Sequence, residues 1–196
     1  MFRPSPVSFL QVDIFWGITA LFVIAGAYVL LRNLDRPKAS SRRLSSTLGV
    51  VLQALGCAAA GMGILKPALP WWAPLSIVST LLVVLLGVSA IALFLSAAVV
   101  MGKNWSLVAR TRENHELVRN GPFAMVRHPI YLAILLYVIG IAAAFGHWPQ
   151  LLIAVPLYLA GTYIRIRDEE ALLRAQFGEE HARYVRDVPA LIPLIV

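Results

Sequence analysis

The chain turns polar at HELVRNGPFAMVRHPIY, residues His115–Tyr131, between two long apolar parts of the sequence. Gly121-Pro122 predicts a turn, because glycine adopts positive φ freely while proline fixes its own φ and has no N–H to donate. Pro129 biases His128 away from the helical region and suits the first position of the apolar helix that follows. We therefore expect the polar groups of this stretch to lie at a membrane boundary, where chemistry could take place.

Outside that stretch, the chain is dominated by uncharged apolar runs. Of its 196 residues, 59% are hydrophobic and 14% are charged, a composition outside the usual range of soluble domains. The runs are Ile14–Leu31, Thr47–Leu65, Ala73–Met101, Ile130–Phe145 and Trp148–Ile164. The first three are long enough for a hydrocarbon core of about 30 Å, whereas the last two predict a hairpin that crosses only partly or where the bilayer is thin. The sequence thus predicts an all-α, polytopic membrane protein with about five transmembrane helices.

The positive charges predict the orientation. Of the 17 Lys and Arg residues, all but Arg3 and Lys66 fall in three segments, 32–43, 103–127 and 165–186, and these two are left for the opposite side. Short loops rich in Lys and Arg stay in the cytoplasm, so five crossings with the N-terminus outside place all three basic segments on the cytoplasmic face. The net charge of +7 is then a feature of the membrane surface, and nucleic-acid binding has little support.

Other features of the membrane part suggest structural roles. The first run starts close to Asp13 and has no small-residue cleavage site, so we expect it to remain as a membrane helix. The single cysteine, Cys57, lies within GCAAAGMG, residues 56–63, which predicts a packed thiol and close helix contact in lipid. Trp71, Trp72 and Trp148 are expected to anchor the outer interface.

The C-terminal tail predicts helices that leave the membrane. From Tyr163 the chain reads YIRIRDEEALLRAQFGEEHARYVRDVPALIP, in which apolar residues recur among charges and Gly178 supplies a stop. We expect a cytoplasmic amphipathic helix continuing from the fifth run, followed by a second short helix. Arg165 and Glu169 are four positions apart and share one side of that helix.

Two polar clusters would meet if the hairpin folds back on itself. Arginine can hold a carboxylate or phosphate through its fork, and glutamate can accept hydrogen bonds from an ammonium or from ribose hydroxyls. Simpler readings remain open at this point: an exposed Arg165–Glu169 pair, His128 as a helix cap, Tyr131 as an interfacial anchor and His115 as a solvated loop residue. No HxxxH or HExxH spacing is present, so we expect no metal.

The chain resembles the isoprenylcysteine carboxyl methyltransferase family and its prokaryotic relatives, over about residues 102–193. The resemblance depends on H-x-L-V, G-x-(Y/F), R-H-P-x-Y, R-x-x-x-E-E and F-G-E-E-x-x-x-Y, in that order. It implies an S-adenosylmethionine-dependent membrane methyltransferase with its cofactor at the cytoplasmic face and a lipophilic substrate or lipid entering from the bilayer. It also suggests a bacterial inner membrane as the location.

The resemblance also implies roles for particular residues. Those expected to bind the cofactor are His115, Glu116, Leu117, Val118, Phe123, His128, Pro129, Ile130, Tyr131 and Glu169. Those expected to be catalytic are Arg165, Glu169, Glu170 and Arg127, with Arg165 facing the methyl acceptor. Phe123 stands where the family usually has tyrosine, so a phenol hydrogen bond is lost and a stacking surface remains.

The acceptor separates the possible functions. A carboxylate is already nucleophilic and needs no base, whereas an amine must lose a proton, to a base such as Glu170 or His128. The sequence favours methylation of an isoprenylcysteine-like carboxylate; the alternatives are N-methylation of a phospholipid head group, as in phosphatidylethanolamine, and a non-catalytic protein that keeps the cofactor pocket. Residues 1–101 are expected to form a three-helix membrane region, and residues 102–196 the catalytic region.

Overall fold

The computed structural model describes residues 5–32, 44–102 and 117–192. Within these ranges the chain forms six α-helices. They are α1 (Phe9–Leu31), α2 (Leu44–Gly61), α3 (Pro74–Met101), α4 (Pro129–Phe145), α5 (Leu151–Phe177) and α6 (Glu179–Asp187). Two 3-10 turns, Gly121–Ala124 and Trp148–Gln150, precede α4 and α5. The all-α prediction is confirmed.

Helix lengths differ from those expected of the apolar runs. By length and composition, α1, α3 and the stretch Trp148–Phe177 could each cross a membrane, while the apolar helices Ser45–Gly61 and Pro129–Phe145 are shorter. The helix of the second run is therefore shorter, and that of the fifth longer, than the lengths of those apolar runs predicted. The helix of the second run ends at Gly61, whereas α5 continues without a break from apolar sequence into the charged tail.

The tail helices follow the prediction. Gly178 ends α5 with a φ of 48°, a left-handed value that suits a residue without a Cβ, and α6 then packs back against α5. Gly146 plays the same part between α4 and α5, with a φ of 70°. Each glycine redirects the chain within a single residue.

The described helix ends alternate between two sides of the bundle. At one side, the Val7 amide donates to the Lys66 carbonyl at 3.0 Å and the Ser5 amide donates to the Gly146 carbonyl at 2.8 Å. At the other side lie the ends of α1 and α3, the starts of α2 and α4, and the charged part of α5. This alternation agrees with the predicted path of the chain; the assignment of the second side to the cytoplasm stays a prediction.

Small residues decide which helices pair. Although α4 and α5 are joined by a tight link, α5 packs most extensively along α2 and α4 along α3. A Cβ on Gly56 would lie 2.8 Å from the Ala154 carbonyl oxygen, so the backbones of α2 and α5 approach closely where GCAAAGMG predicted close contact. Cys57 is half-buried against the core formed around Phe15, Val138 and Tyr158, as expected of a packed thiol.

Candidate active site

The segment preceding α4 and the charged part of α5 meet at one end of the bundle. The Tyr131 hydroxyl donates to a Glu169 carboxylate oxygen, and the His128 ring lies 3.3 Å from a Glu170 oxygen. The expectation that the two polar clusters come together is therefore confirmed. The apolar part of α5 ends at Ile164, so these groups lie just beyond it.

The turn before α4 is held in place by α6. Gly121 has a φ of 59° and opens the 3-10 turn that buries Phe123, whose side chain is 5% exposed. The Tyr184 hydroxyl donates to the Phe123 carbonyl at 2.6 Å. Through this hydrogen bond α6 fixes the position of the turn, and the turn fixes the position of the start of α4.

The backbone around His128 is bonded to the tail. The amides of Arg127 and His128 donate to the carbonyls of Pro189 and Ala190, at 2.8 and 3.0 Å. His128 stands at the N-cap position of α4, but its side chain makes no capping hydrogen bond. The reading of His128 as a helix cap is therefore wrong, and its imidazole is directed to other partners.

Those partners are two adjacent carboxylates. His128 Nδ1 lies 3.5 Å from Glu169 Oε2, and Nε2 lies 3.3 Å from Glu170 Oε1. Burial alone would lower the pKa of His128, but the hydrogen bonds and negative charges of both glutamates outweigh it and raise the pKa. The imidazole therefore holds the two carboxylates side by side, and their negative charges favour the protonated form of His128.

Tyr131 joins the two clusters. Its hydroxyl donates to Glu169 and accepts a hydrogen bond of 2.7 Å from Arg165 Nε. The His128 ring stacks against the phenol with centroids 5.8 Å apart, and the side chain is only 6% exposed. Such burial and bonding are unlike those of an interfacial anchor, so that alternative is wrong.

Arg165 and Glu169 are not a surface pair. Arg165 is 9% exposed, with its guanidinium carbon 5.4 Å from the centroid of the Tyr131 ring. Its Nη2 lies 3.7 Å from Glu169 Oε1, and the Glu169 side chain is 25% exposed. A buried guanidinium thus lies beside a carboxylate that solvent and ligands can reach.

Arg127 connects the site to the tail. Its Nε and Nη2 each lie 2.9 Å from Glu170 Oε1, and its Nη1 donates to the carbonyls of Val185 and Val188. Burial would raise the pKa of Glu170, but the His128 hydrogen bond and the Arg127 charge lower it to about 2. Glu170 is consequently a firmly ionised partner of Arg127.

The other residues expected at the site are placed as follows. His115 and Glu116 lie outside the described residues. Leu117 and Val118 are half-buried at the start of the segment, and Pro129 is buried at the first turn of α4. Ile130 packs against the apolar cluster that includes Phe94, so it joins α4 to α3.

Sequence reasoning missed a buried tyrosine at the site. The Tyr158 hydroxyl donates to the Tyr131 carbonyl at 2.7 Å and fixes the first turn of α4 against α5. The signal was present in the spacing, since Tyr158, Thr162, Arg165 and Glu169 recur at intervals of four and three and so share one side of α5.

His181 on α6 was not expected at the site either. Its side chain is fully buried, and neither ring nitrogen has a hydrogen-bond partner within the described ranges. Burial lowers its pKa, so the neutral imidazole is favoured there. No spacing rule in the sequence indicated this position.

Comparison with known families shows which group of proteins this site resembles. Residues 81–175, which include the turn, α4 and the charged part of α5, match the model of the isoprenylcysteine carboxyl methyltransferase (ICMT) family. The match extends over just under half of the chain. The resemblance seen in the sequence motifs is thereby confirmed, and the ICMT region begins within α3, earlier than the motifs alone indicated.

Curated relatives share the C-terminal half of the chain. A protein-S-isoprenylcysteine O-methyltransferase of Schizosaccharomyces pombe is 33% identical over 102 residues, 51% of this chain and 43% of the relative. A probable protein-S-isoprenylcysteine O-methyltransferase of Oryza sativa subsp. indica is 30% identical over 102 residues, 50% of this chain and 53% of the relative.

A third relative has a different name. The cobalt-zinc-cadmium resistance protein CzcN of Cupriavidus metallidurans is 34% identical over 97 residues, 47% of this chain and 43% of the relative. In these comparisons the chain spans about half the length of the curated relatives it matches. Within residues 5–32, 44–102 and 117–192, no three His, Cys, Asp or Glu side chains are grouped as metal ligands.

Proposed function

We propose that this protein is an integral-membrane methyltransferase that moves a methyl group from S-adenosylmethionine to the carboxylate of a lipophilic, isoprenylcysteine-like acceptor. The proposal is supported chiefly by one arrangement: the buried Arg165 guanidinium and the partly exposed Glu169 carboxylate, joined by the Tyr131 hydroxyl at the end of the apolar bundle. The match to the family model and the names of two relatives agree with it.

The side chains fit the proposed cofactor. S-adenosylmethionine supplies a methyl group on a cationic sulfur, together with an ammonium and ribose hydroxyls. A carboxylate suits all three as an acceptor of hydrogen bonds or as an opposite charge, and Glu169 is the carboxylate of this cluster that has the greater exposed fraction. We assign cofactor binding to Glu169, to the aromatic face of Tyr131 and to the segment from Leu117 to Ile130, with His115 and Glu116 included from the resemblance.

The chain's own part in the reaction is positioning. Arg165 orients the acceptor carboxylate through its guanidinium, because a planar fork of N–H donors matches two carboxylate oxygens. Tyr131 and the apolar ends of α4 and α5 would exclude water from the place where methyl transfer to the carboxylate would occur. Cation and anion neutralise each other in this step, so a dry, prearranged site favours it.

The low pKa of Glu170 argues against an amine acceptor that would depend on this residue as its base. Methylating an ammonium first requires a base to take its proton. Glu170 has a pKa lowered to about 2 and is bound by Arg127, which makes it a weak base. A carboxylate needs no proton removed, and the same cluster then serves only to bind and orient. We accordingly keep the catalytic role of Arg165 and give Glu170 and Arg127 the task of holding the site together.

The proposed membrane arrangement follows the charge distribution. Five crossings with the site on the cytoplasmic face, in a bacterial inner membrane, would place the basic segments where Lys and Arg are retained. The acceptor would then reach Arg165 from the bilayer and the cofactor from the cytosol. Residues 1–101 and 102–196 remain the proposed membrane and catalytic regions.

Transfer of a labelled methyl group tests the proposal. Purified protein in detergent is incubated with methyl-labelled S-adenosylmethionine and, in parallel, with an N-acetylated S-isoprenyl cysteine or with phosphatidylethanolamine. We expect label on the cysteine derivative that alkali releases, since methyl esters are base-labile and methylated amines are not. An Arg165→Ala variant should lose this turnover and retain cofactor binding.

Two results would contradict the proposed reaction, and a third would contradict the role given to Arg165. Alkali-stable label on phosphatidylethanolamine would assign the protein to head-group N-methylation. Binding of S-adenosylhomocysteine without transfer to either acceptor would indicate a non-catalytic protein that keeps the pocket. Equal turnover in wild type and Arg165→Ala would remove Arg165 from the mechanism.

A further inference from the structure

Helix α2 lies outside the part of the chain that matches the family, yet it packs directly on the site. The matched residues begin at 81, whereas α2 ends at Gly61. Its longest contact is with α5, the helix that carries Arg165 and Glu169. What α2 does for these side chains is therefore a separate question from the family motifs.

The Arg165 side chain crosses α2 at a glycine. A Cβ on Gly49 would lie 2.6 Å from Arg165 Cγ and 2.9 Å from the Gly161 carbonyl oxygen. A Cβ on Gly161 would in turn lie 2.5 Å from the Gly49 carbonyl oxygen. All three distances are shorter than real Cβ atoms make, so two facing glycines form the groove through which the stem of Arg165 reaches Tyr131.

Hydrogen bonds on either side of Gly49 fix the two helices in register. The Ser45 hydroxyl donates to Asp168 Oδ2 at 2.6 Å, and the Gln53 amide donates to the Thr162 hydroxyl at 2.9 Å. Ser45, Gly49 and Gln53 are four residues apart and share one side of α2. On α5, Asp168 and Thr162 lie one turn to either side of Arg165.

We propose that α2 is a positioning element of the active site: Gly49 shapes the groove that aims Arg165, and the bonds of Ser45 and Gln53 hold that groove at the level of Tyr131. This inference rests on the proposed role of Arg165 toward the acceptor. It also changes the expected division of the chain, because a helix of the N-terminal region then belongs to the site.

The contacts differ along α2, and this provides a matched control. A Cβ on Gly56 would be as crowded as one on Gly49, since it would lie 2.8 Å from the Ala154 carbonyl oxygen and 2.9 Å from the Tyr158 backbone nitrogen. It would not meet Arg165, but it would press on Tyr158, whose hydroxyl bonds the Tyr131 carbonyl, so a smaller loss of activity is expected in this variant too. Adding one methyl group at either glycine disturbs the same helix pair, but only at Gly49 does it displace the guanidinium.

The first test compares Gly49→Ala with Gly56→Ala in the methyl-transfer assay with the N-acetylated S-isoprenyl cysteine. We expect Gly49→Ala to lose on the order of 10- to 100-fold in kcat/KM for the acceptor, as a misplaced group does, while the Kd for S-adenosylhomocysteine stays within about twofold of wild type. Gly56→Ala should keep a clearly larger kcat/KM at a similar loss of melting temperature. Equal acceptor kinetics in the two variants would overturn the inference, whereas an inactive wild type would contradict the proposed function instead.

A second test needs no turnover. The melting temperature is measured for Gly49→Ala and Gly56→Ala, each in wild-type and Arg165→Ala backgrounds. If Gly49 is crowded by the Arg165 stem, Gly49→Ala should lower the melting temperature less when that stem is absent, and Gly56→Ala should lower it equally in both backgrounds. Independent effects of Gly49→Ala and Arg165→Ala would show that Gly49 does not act through Arg165.

Discussion

Glu169 and Glu170 are neighbours that accept the same isosteric change, yet the structure predicts different results for it. In Glu170→Gln, the Arg127 guanidinium loses its charged partner while the Arg127 side chain, only 10% exposed, remains buried. In Glu169→Gln, an amide oxygen remains to accept from Tyr131. We expect Glu170→Gln mainly to destabilise the fold and Glu169→Gln mainly to weaken cofactor binding.

The pKa of Glu170 sets the size of the first effect. Folding lowers this pKa from 4.5 to about 2, and each unit corresponds to about 1.4 kcal/mol, so the upper bound is about 3 kcal/mol. The side chain is 18% exposed, and solvent screening reduces the expected loss to about 2 kcal/mol. Because the folded pKa is the lower one, this stabilisation is complete above pH 4.5 and is lost as the pH falls toward 2.

The single cysteine offers an assay. Cys57 is half-buried in the core, so its reaction with a dipyridyl disulfide, which still reacts with thiols in acid, reports unfolding during titration with a denaturing detergent. The gap in unfolding free energy between wild type and Glu170→Gln should be near its full size at about pH 7 and smaller at about pH 3.5. A gap independent of pH, or an equal loss in Glu169→Gln, would refute the reasoning.

Three further changes test other contacts. Tyr184→Phe removes the hydrogen bond to the Phe123 carbonyl and should lower the unfolding free energy by about 1 kcal/mol in the same titration. It should also weaken S-adenosylhomocysteine binding measured by calorimetry. If both values were unchanged, α6 would be excluded as a support for the turn. His128→Gln should cost more stability at about pH 6 than at about pH 9, because folding raises the pKa of His128 from 6.5. The stabilisation by His128 is complete below pH 6.5 and is lost as the pH rises through the folded pKa. The opposite trend would count against the pairing of His128 with the two carboxylates. Arg119→Ala breaks an exposed pair with Glu180 and should change stability by less than about 1 kcal/mol, so a larger loss would show that this pair does more than the structure indicates.

Periodicity and hydropathy predicted the all-α class and the path of the chain, but not the exact lengths of α2 and α5. Long uncharged runs form helices in lipid because backbone groups must bond internally there, and Gly178 ended α5 where a stop was expected. The meeting of Tyr131 with Glu169 was also predictable, since a tight link between two helices returns their far ends to the same side. The roles of these residues in catalysis remain predictions.

Helix pairing could not be read from the order of the runs. The pairing of α5 with α2 depends on Gly49 facing Gly161 and on Gly56 facing the backbone of Ala154. Such complementarity between distant small residues leaves no periodic signal in one sequence. The same holds for the tail, where the carbonyls of Pro189 and Ala190 receive the amides of Arg127 and His128. These hydrogen bonds join backbone groups, so no side-chain motif in the sequence predicted them.

The most direct test of the central claim is calorimetric titration of S-adenosylhomocysteine into the detergent-purified protein. The proposed cofactor site, which includes Tyr131, His128 and Glu169, predicts saturable binding to wild type, a Kd at least about tenfold weaker in Glu169→Gln, and a Kd close to wild type in Arg165→Ala. Absence of saturable binding to the folded wild-type protein, or undiminished binding in Glu169→Gln, would contradict the account.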